Sequence, residues 1–311
     1  MAKVRINAKN WKLLWLLLVP ERNHMKDKIE IYTAEKSARI YIAKTKTLVN
    51  NAYMQHKTTP VATIAFGRTL TAAVIMGSML KNNKDSLTIQ IKGSGPIGGI
   101  VATTNKYAEV KGYVFNRIVN IGSAINGRLD VVTTVGKGTL TVTKDLSLKM
   151  PVSSQVPIIS GEISEDFVHF FAKSEQITTY VDLGVEVNKD KTVKEAGGYI
   201  IQLMPNASRQ FRRFLEQSLA ELPPVTTMLG QKRKLLNAIF GDKKVTYHDK
   251  IIPKFTCDCG IGKAKQILVA IGKDELISML EDDEHIDIFC QYCNTNYHFD
   301  ESDVWELLYK M

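Results

Sequence analysis

Cysteine is scarce. The chain holds four in 311 residues, at 257, 259, 290 and 293, all in its last fifth, so a disulfide scaffold cannot hold the whole fold together. Long apolar runs are missing as well, and none reaches the roughly 20 residues that a membrane-spanning helix needs, so no membrane partner is expected. There is no G-x-x-x-x-G-K-[ST] loop for ATP and no G-x-S-x-G elbow. The six histidines, at 24, 56, 169, 248, 285 and 298, stand singly, and no carboxylate pair rises above the solvated charges. The sequence makes no positive case for a catalytic centre, and an enzyme is not expected.

What is present is globular material. Hydrophobic residues make up 44% and charged residues 23% of the chain, which allows a real core and excludes a wholly disordered or collagen-like chain. At about 150 residues per domain the length suggests two domains. The net charge of +9 is uneven: residues 253–311 carry five basic and twelve acidic side chains, net −7, and everything before them is basic. A basic chain raises nucleic-acid binding, but the one compact motif has the wrong sign for gripping phosphate.

Lys3, Arg5, Lys9 and Lys12 precede a short apolar stretch, Leu13 to Val19, which superficially resembles a signal peptide. Pro20-Glu21-Arg22-Asn23-His24 follows, with no small-residue cleavage pattern, and Met25 then opens a plausible fold. Residues 1–24 are expected to be an extension outside it.

From there the pattern reads as α+β: an antiparallel-sheet core domain with packed helices (25–205), a helical linker (206–252) and a small C-terminal four-cysteine domain (253–311). Strands are expected over 29–34 and 38–43 as a hairpin, then at 87–91, 98–104, 108–115, 129–135, 139–143, 178–187 and 197–204, with Gly136-Lys137-Gly138 as a hairpin turn. Thr58-Thr59-Pro60 should start a helix running to about Leu80, rich in small residues and therefore closely packed. Ser164 should cap another, to about Lys173. In the linker, Asn206 should cap a helix with Phe211, Phe214, Leu215, Leu219 and Leu222 on one face, and 231–240 should form a second. Strands clustered in hairpins argue for α+β over a doubly wound parallel sheet.

Gly93-Ser94-Gly95-Pro96-Ile97-Gly98 matches G-x-G-x-x-G. A dinucleotide site needs that turn to open a helix; here a strand-like segment follows, and no acidic residue stands about twenty positions on. It reads as a tight turn.

The tail differs. Cys257-Asp258-Cys259 and Cys290-Gln291-Tyr292-Cys293 are two close pairs separated by a folded segment, the arrangement of a tetrahedral zinc site in which each pair gives two thiolates. Gly260 and Gly262 should ease the turn at the first pair, Asp274 should cap a helix over 275–280, and 296–299 should be a returning strand. Permanent disulfides, or His285 or His298 in place of one thiolate, are the alternatives. A Cys257–Cys259 disulfide would close a very small, strained and easily reduced ring, a poor permanent staple and a good reversible one. Metal binding in small modules is worth about 10–16 kcal/mol of folding free energy, and 59 residues hold little core of their own. Losing zinc should unfold the module.

C-x-C, some thirty residues, then C-x-x-C at the end of an α+β chain resembles the redox-regulated heat-shock holdase family, the bacterial 33 kDa chaperonins. Residues 67–81 (GRTLTAAVIMGSMLK) resemble the family's early helix, 93–99 (GSGPIGG) its Gly-Pro loop, and 196–205 (AGGYIIQLMP) the end of its core domain. The resemblance spans residues 25–311. It implies a monomer that, in a reducing cytoplasm, holds one Zn²⁺ on Cys257, Cys259, Cys290 and Cys293. Under oxidative and heat stress it implies disulfides Cys257–Cys259 and Cys290–Cys293, loss of zinc, unfolding of the tail and loosening of residues 206–240. It further implies ATP-independent binding of unfolding client proteins, a homodimer when oxidised, and transfer of clients to ATP-dependent foldases on reduction. The main rival is a structural-zinc nucleic-acid-binding protein, opposed by the acidic tail and the lack of an aromatic-basic stripe; no specific nucleic acid is expected. A thiol oxidoreductase using Cys290 and Cys293 is a second, opposed by the turn and strand-like segment after the motif.

Overall fold

The computed structural model describes residues 26–120, 129–283 and 285–311; the expected extension, residues 1–24, lies outside them. Apolar side chains on both faces of successive strands dictate a sheet covered on both sides. Strands β1 (Lys28–Ala34) and β2 (Ala38–Lys44) form the expected hairpin, and with β8 (Thr179–Val187), β9 (Val193–Leu203) and β10 (Val245–Ile251) they make a five-stranded antiparallel sheet in the order β10-β1-β2-β9-β8. Ile29, Tyr41, Ala43 and Ile200 face one apolar cluster, while Tyr32, Ile40, Ile42, Tyr199 and Ile201 face another.

The second sheet comprises β3 (Ser86–Gly93), β4 (Gly99–Asn105), β5 (Glu109–Val114), β6 (Gly138–Asp145), β7 (Val152–Pro157) and the two-residue β11 (Lys254–Phe255), in the order β11-β5-β4-β3-β6-β7. Leu87, Ile89 and Ile91 point inward, and Thr88, Gln90 and Lys92 lie on the outer face. Between the sheets lies helix α2 (Pro60–Gly77), following α1 (Lys46–His56). By length and composition α2 is apolar enough to cross a membrane, but 83% of it is buried inside the protein. Its small residues bring it close to its neighbours: a Cβ on Gly67 would lie 2.5 Å from Val49 Cγ1.

Helices α5 (Arg209–Ala220), α6 (Val225–Met228) and α7 (Lys232–Phe240) cover the other face of the first sheet. Phe211, Leu215, Leu235, Ile239 and Phe240 are buried there, and Arg212 and Arg213 are exposed. Between the second sheet and β8 runs the short helix α4 (Ser164–Phe170), continued as one wider turn over Phe171–Glu175.

Several expectations are corrected. Residues 131–135, expected in a strand, form helix α3 (Val131–Val135): Asp130 accepts hydrogen bonds from the Thr133 amide at 2.9 Å and hydroxyl at 2.6 Å, fixing a helical turn against the β-preference of its Val and Thr residues. Gly136-Lys137-Gly138 therefore links a helix to β6, not two strands. Ser164 does not cap α4: its hydroxyl accepts from the Leu183 amide, and Asp166 takes the free amides before the helix. Ser208, not Asn206, caps α5, accepting from the Phe211 amide at 3.1 Å. Residues 245–251, for which no strand is expected, form β10, Val245 to Ile251 pairing with the edge of β1.

The G-x-G-x-x-G loop is a turn. The amides of Gly95 and Ile97 donate to the Val135 and Thr134 carbonyls, and the amide of Gly93 to the carbonyl of Gly98. A Cβ on Gly93 would sit 1.9 Å from the Val135 oxygen. The loop meets the carbonyl end of a helix, the wrong polarity for a phosphate cradle.

Candidate metal centre

The C-terminal module contains α8 (Ile261–Ile271), α9 (Lys273–Asp282), the antiparallel ribbon of β12 (His285–Phe289) and β13 (Asn296–Asp300), and α10 (Glu301–Lys310). Ala264, Leu268, Leu276, Ile286, Phe299, Val304, Leu307 and Leu308 make its small apolar cluster. Asp274 lies in the first turn of α9, whose capping position is Gly272. Gly260 is extended, Gly262 is helical, and a Cβ on either would meet nothing within 4 Å, so the first cysteine pair does not depend on them.

Cys257 and Cys259 lie just after β11, and Cys290 and Cys293 lie in the turn between β12 and β13. Asn294, at φ 55°, bends the chain back, and its amide donates to the Cys290 carbonyl. All four sulfurs lie within 4.8 Å of one another, and none is in a disulfide. Across the pairs, Cys257 Sγ and Cys290 Sγ lie 3.7 Å apart and Cys259 Sγ and Cys293 Sγ 3.1 Å apart. Thiolates around a tetrahedral ion at about 2.3 Å sit about 3.8 Å apart. The donor set and its convergence therefore fit zinc. His285 and His298 stand apart from this cluster, in one of their own with Asp287.

The surroundings set the sulfurs apart. Burial pushes the Cys257 thiol up to about 12, and the neighbouring Cys290 sulfur adds to this. Burial alone would also raise Cys293, but hydrogen bonds with Thr295 and Cys259 bring it down to about 7. The Tyr297 hydroxyl donates to Cys259 Sγ at 3.0 Å. Four thiols this close, with no cation among them, cannot all ionise easily; a divalent ion removes that penalty.

The centre is also wired to the core. β11 pairs in parallel with β5, and the amides of Lys254 and Thr256 donate to the carbonyls of Ala108 and Val110. Between the first two cysteines, Asp258 forms ion pairs with Lys111 of β5 and Lys263 of α8, which hold its carboxyl far below the usual carboxylate range. Between the other two, Tyr292 packs edge-on against Tyr113 at 5.2 Å, sits under the Lys111 ammonium at 5.0 Å, and takes a hydrogen bond on its carbonyl from His56 Nε2 at 3.1 Å. Burial, outweighing that bond, keeps His56 below its ordinary pKa. Sequence reasoning missed His56, Lys111 and Tyr113; the only local signal was an acid and an aromatic standing between the paired cysteines.

Comparison with known proteins agrees with this picture. The family model described as "Hsp33 protein" matches residues 27–300. The 33 kDa chaperonin of Clostridioides difficile is 43% identical over 277 residues, covering 88% of this chain and 95% of that protein. That of Lachnoclostridium phytofermentans is 40% identical over 283 residues, covering 90% and 97%. The crystal structure of the 33 kDa chaperonin (heat shock protein 33 homolog) from Thermotoga maritima superposes with a TM-score of 0.85 at 33% identity, covering 91% of this chain and 98% of that one. With its two-sheet core, its helical cover and four cysteines converging at a strand laid along the core, this chain belongs to the Hsp33 family of chaperones.

Proposed function

We propose that this chaperone is a redox-regulated, ATP-independent holdase of the cytoplasm, switched by Cys257, Cys259, Cys290 and Cys293. The observation that carries the reading is the convergence of the four thiols where the small module joins the core sheet. Zinc, when bound, holds the sulfurs as thiolates and ties the two pairs together.

With peroxide, one thiolate of a pair attacks an oxygen, giving a sulfenic acid and releasing water after protonation. Its neighbour then attacks that sulfur and expels hydroxide, leaving a disulfide. The proposed pairs are Cys257–Cys259 and Cys290–Cys293. A sulfur in a disulfide is no longer a thiolate donor, so the tie between the pairs is lost and the module's small cluster must hold alone. Its unfolding removes the Asp258 and Tyr292 contacts to the core. Loosening of residues 206–240 then uncovers Tyr32, Ile40, Ile42, Tyr199 and Ile201, an apolar sheet face fit for unfolding clients. On this reading residues 25–205 are the chaperone core, 206–252 the linker and 253–311 the switch. The reduced chain is a monomer, the oxidised one a dimer, and reduction hands clients on to ATP-dependent foldases.

The test is zinc release from the reduced protein under peroxide at raised temperature, followed together with aggregation of an unfolding client. Loss of about one zinc per chain, in step with suppression of aggregation, is expected. Zinc retained through oxidation, or lost without holdase activity, overturns the proposal.

A further inference from the structure

The β12–β13 ribbon turns Ile286 and Phe299 into the module's apolar cluster, with Ile288 and Tyr297 packed beside them. By alternation its other face carries His285 and Asp287 from one strand and Asn296, His298 and Asp300 from the other. Asp287 stands directly across from His298, and His285 across from Asp300. The two imidazole rings lie 5.0 Å apart, and donor atoms of His285, Asp287 and His298 all lie within 4.8 Å of one another. We propose that these three residues form a second metal site, distinct from the four cysteines, for a divalent ion of the zinc, nickel and copper class.

The donor set selects that class. Two imidazoles and one carboxylate suit zinc, nickel or copper, whereas magnesium and calcium prefer oxygen alone. The geometry is that of ligands held ready. His285 Nδ1 lies 2.9 Å from Asp283 Oδ1, so its proton is donated to that carboxylate and Nε2 keeps its lone pair. A carboxylate behind a histidine in this way orients a metal ligand. The free Nε2 lies 3.8 Å from Asp287 Oδ2, too far for a hydrogen bond but within the span of two donors each about 2.1 Å from one ion. His298 Nδ1 donates to Asp287 Oδ1 at 2.9 Å; an ion takes the place of that proton, which moves to Nε2. The acidic module around the site, net −7 over residues 253–311, concentrates cations there.

An ion here cross-links the strands whose connecting turn carries Cys290 and Cys293. Because it binds only the paired ribbon, it stabilises the folded module by mass action.

The test is equilibrium dialysis of the reduced full-length chain against buffered micromolar free Zn²⁺, counting metal per chain. His285→Asn and His298→Asn are each expected to bind one zinc fewer than the parent, whatever the cysteines hold, while His169→Asn binds as many. Asp283→Asn, a positioning change, is expected to weaken the site several-fold without abolishing it. Excess zinc should slow hydrogen exchange at Ile286 and Phe299 in the parent and not in His298→Asn. Equal zinc content in the parent and both histidine variants, or exchange that slows equally in all, overturns the proposal and leaves a surface cluster of hydrogen bonds and ion pairs.

Discussion

Asp166 gathers the amides of Ile159, Ser160, Gly161 and Ile163 on its two carboxylate oxygens, at 2.8 to 3.2 Å, and is buried while doing so. Asp166→Ala leaves those donors without partners and should cost about 3 kcal/mol, read as a lower denaturant midpoint. Gly95→Ala puts a Cβ 2.4 Å from the Thr134 carbonyl oxygen, backbone against backbone; about 2 kcal/mol of destabilisation is expected, checked by thermal unfolding. Residue-scale chemistry was legible in the sequence where it is local. The cysteine pairs stood out because each needs only two or three positions of spacing. His56 and Lys111 were invisible: His56 meets Tyr292 across 236 positions and Lys111 meets Asp258 across 147. No periodicity encodes such contacts.

At the scale of elements, strands were easier to read than helix ends. The alternation of Leu87, Ile89 and Ile91 is intrinsic to β3, but α1 takes its cap from Asp27, whose oxygens accept from the amides of Thr47 and Leu48 some twenty positions on. The linker was legible as an amphipathic helix because Phe211 and Leu215 fall one helical turn apart. Its docking includes a buried carboxylate: Glu30 of β1 is held by Lys232 of α7 at 2.9 Å and by Lys28 at 3.1 Å. Burial would raise the Glu30 pKa, but the two lysines outweigh it and the net shift is downward. A lowered folded-state pKa gives stability that is present above the ordinary glutamate value of about 4.3 and is lost as pH falls through the folded value. Glu30→Gln should therefore cost about 1–2 kcal/mol at neutral pH, with the difference closing in strong acid, as denaturant titrations at the two pH values will show. Leu215→Ala and Ile239→Ala remove buried contacts between linker and sheet and should each cost about 2–4 kcal/mol. If the proposed function holds, both variants suppress client aggregation while still reduced, and a fully reduced variant with a loosened linker and no such activity contradicts it.

Over the whole molecule, stability should divide unevenly. The core shares one large apolar cluster between two sheets, whereas the described residues of the C-terminal module form a small one. A chelator applied to the reduced chain should abolish amide protection across residues 261–310 while β2, β3 and α2 stay protected, which hydrogen exchange resolves segment by segment. Loss of protection throughout would mean that the two parts fold as one unit.

The passage from core to C-terminal module has a consequence of its own. Within eleven residues the chain lays β10 along the edge of one sheet and β11 along the edge of the other, with only Ile252 and Pro253 between them. An uncovered strand edge is an open template for any extended chain. Here one short segment of chain closes one edge of each sheet, so its displacement would open a strand edge on β5 and on β1 together.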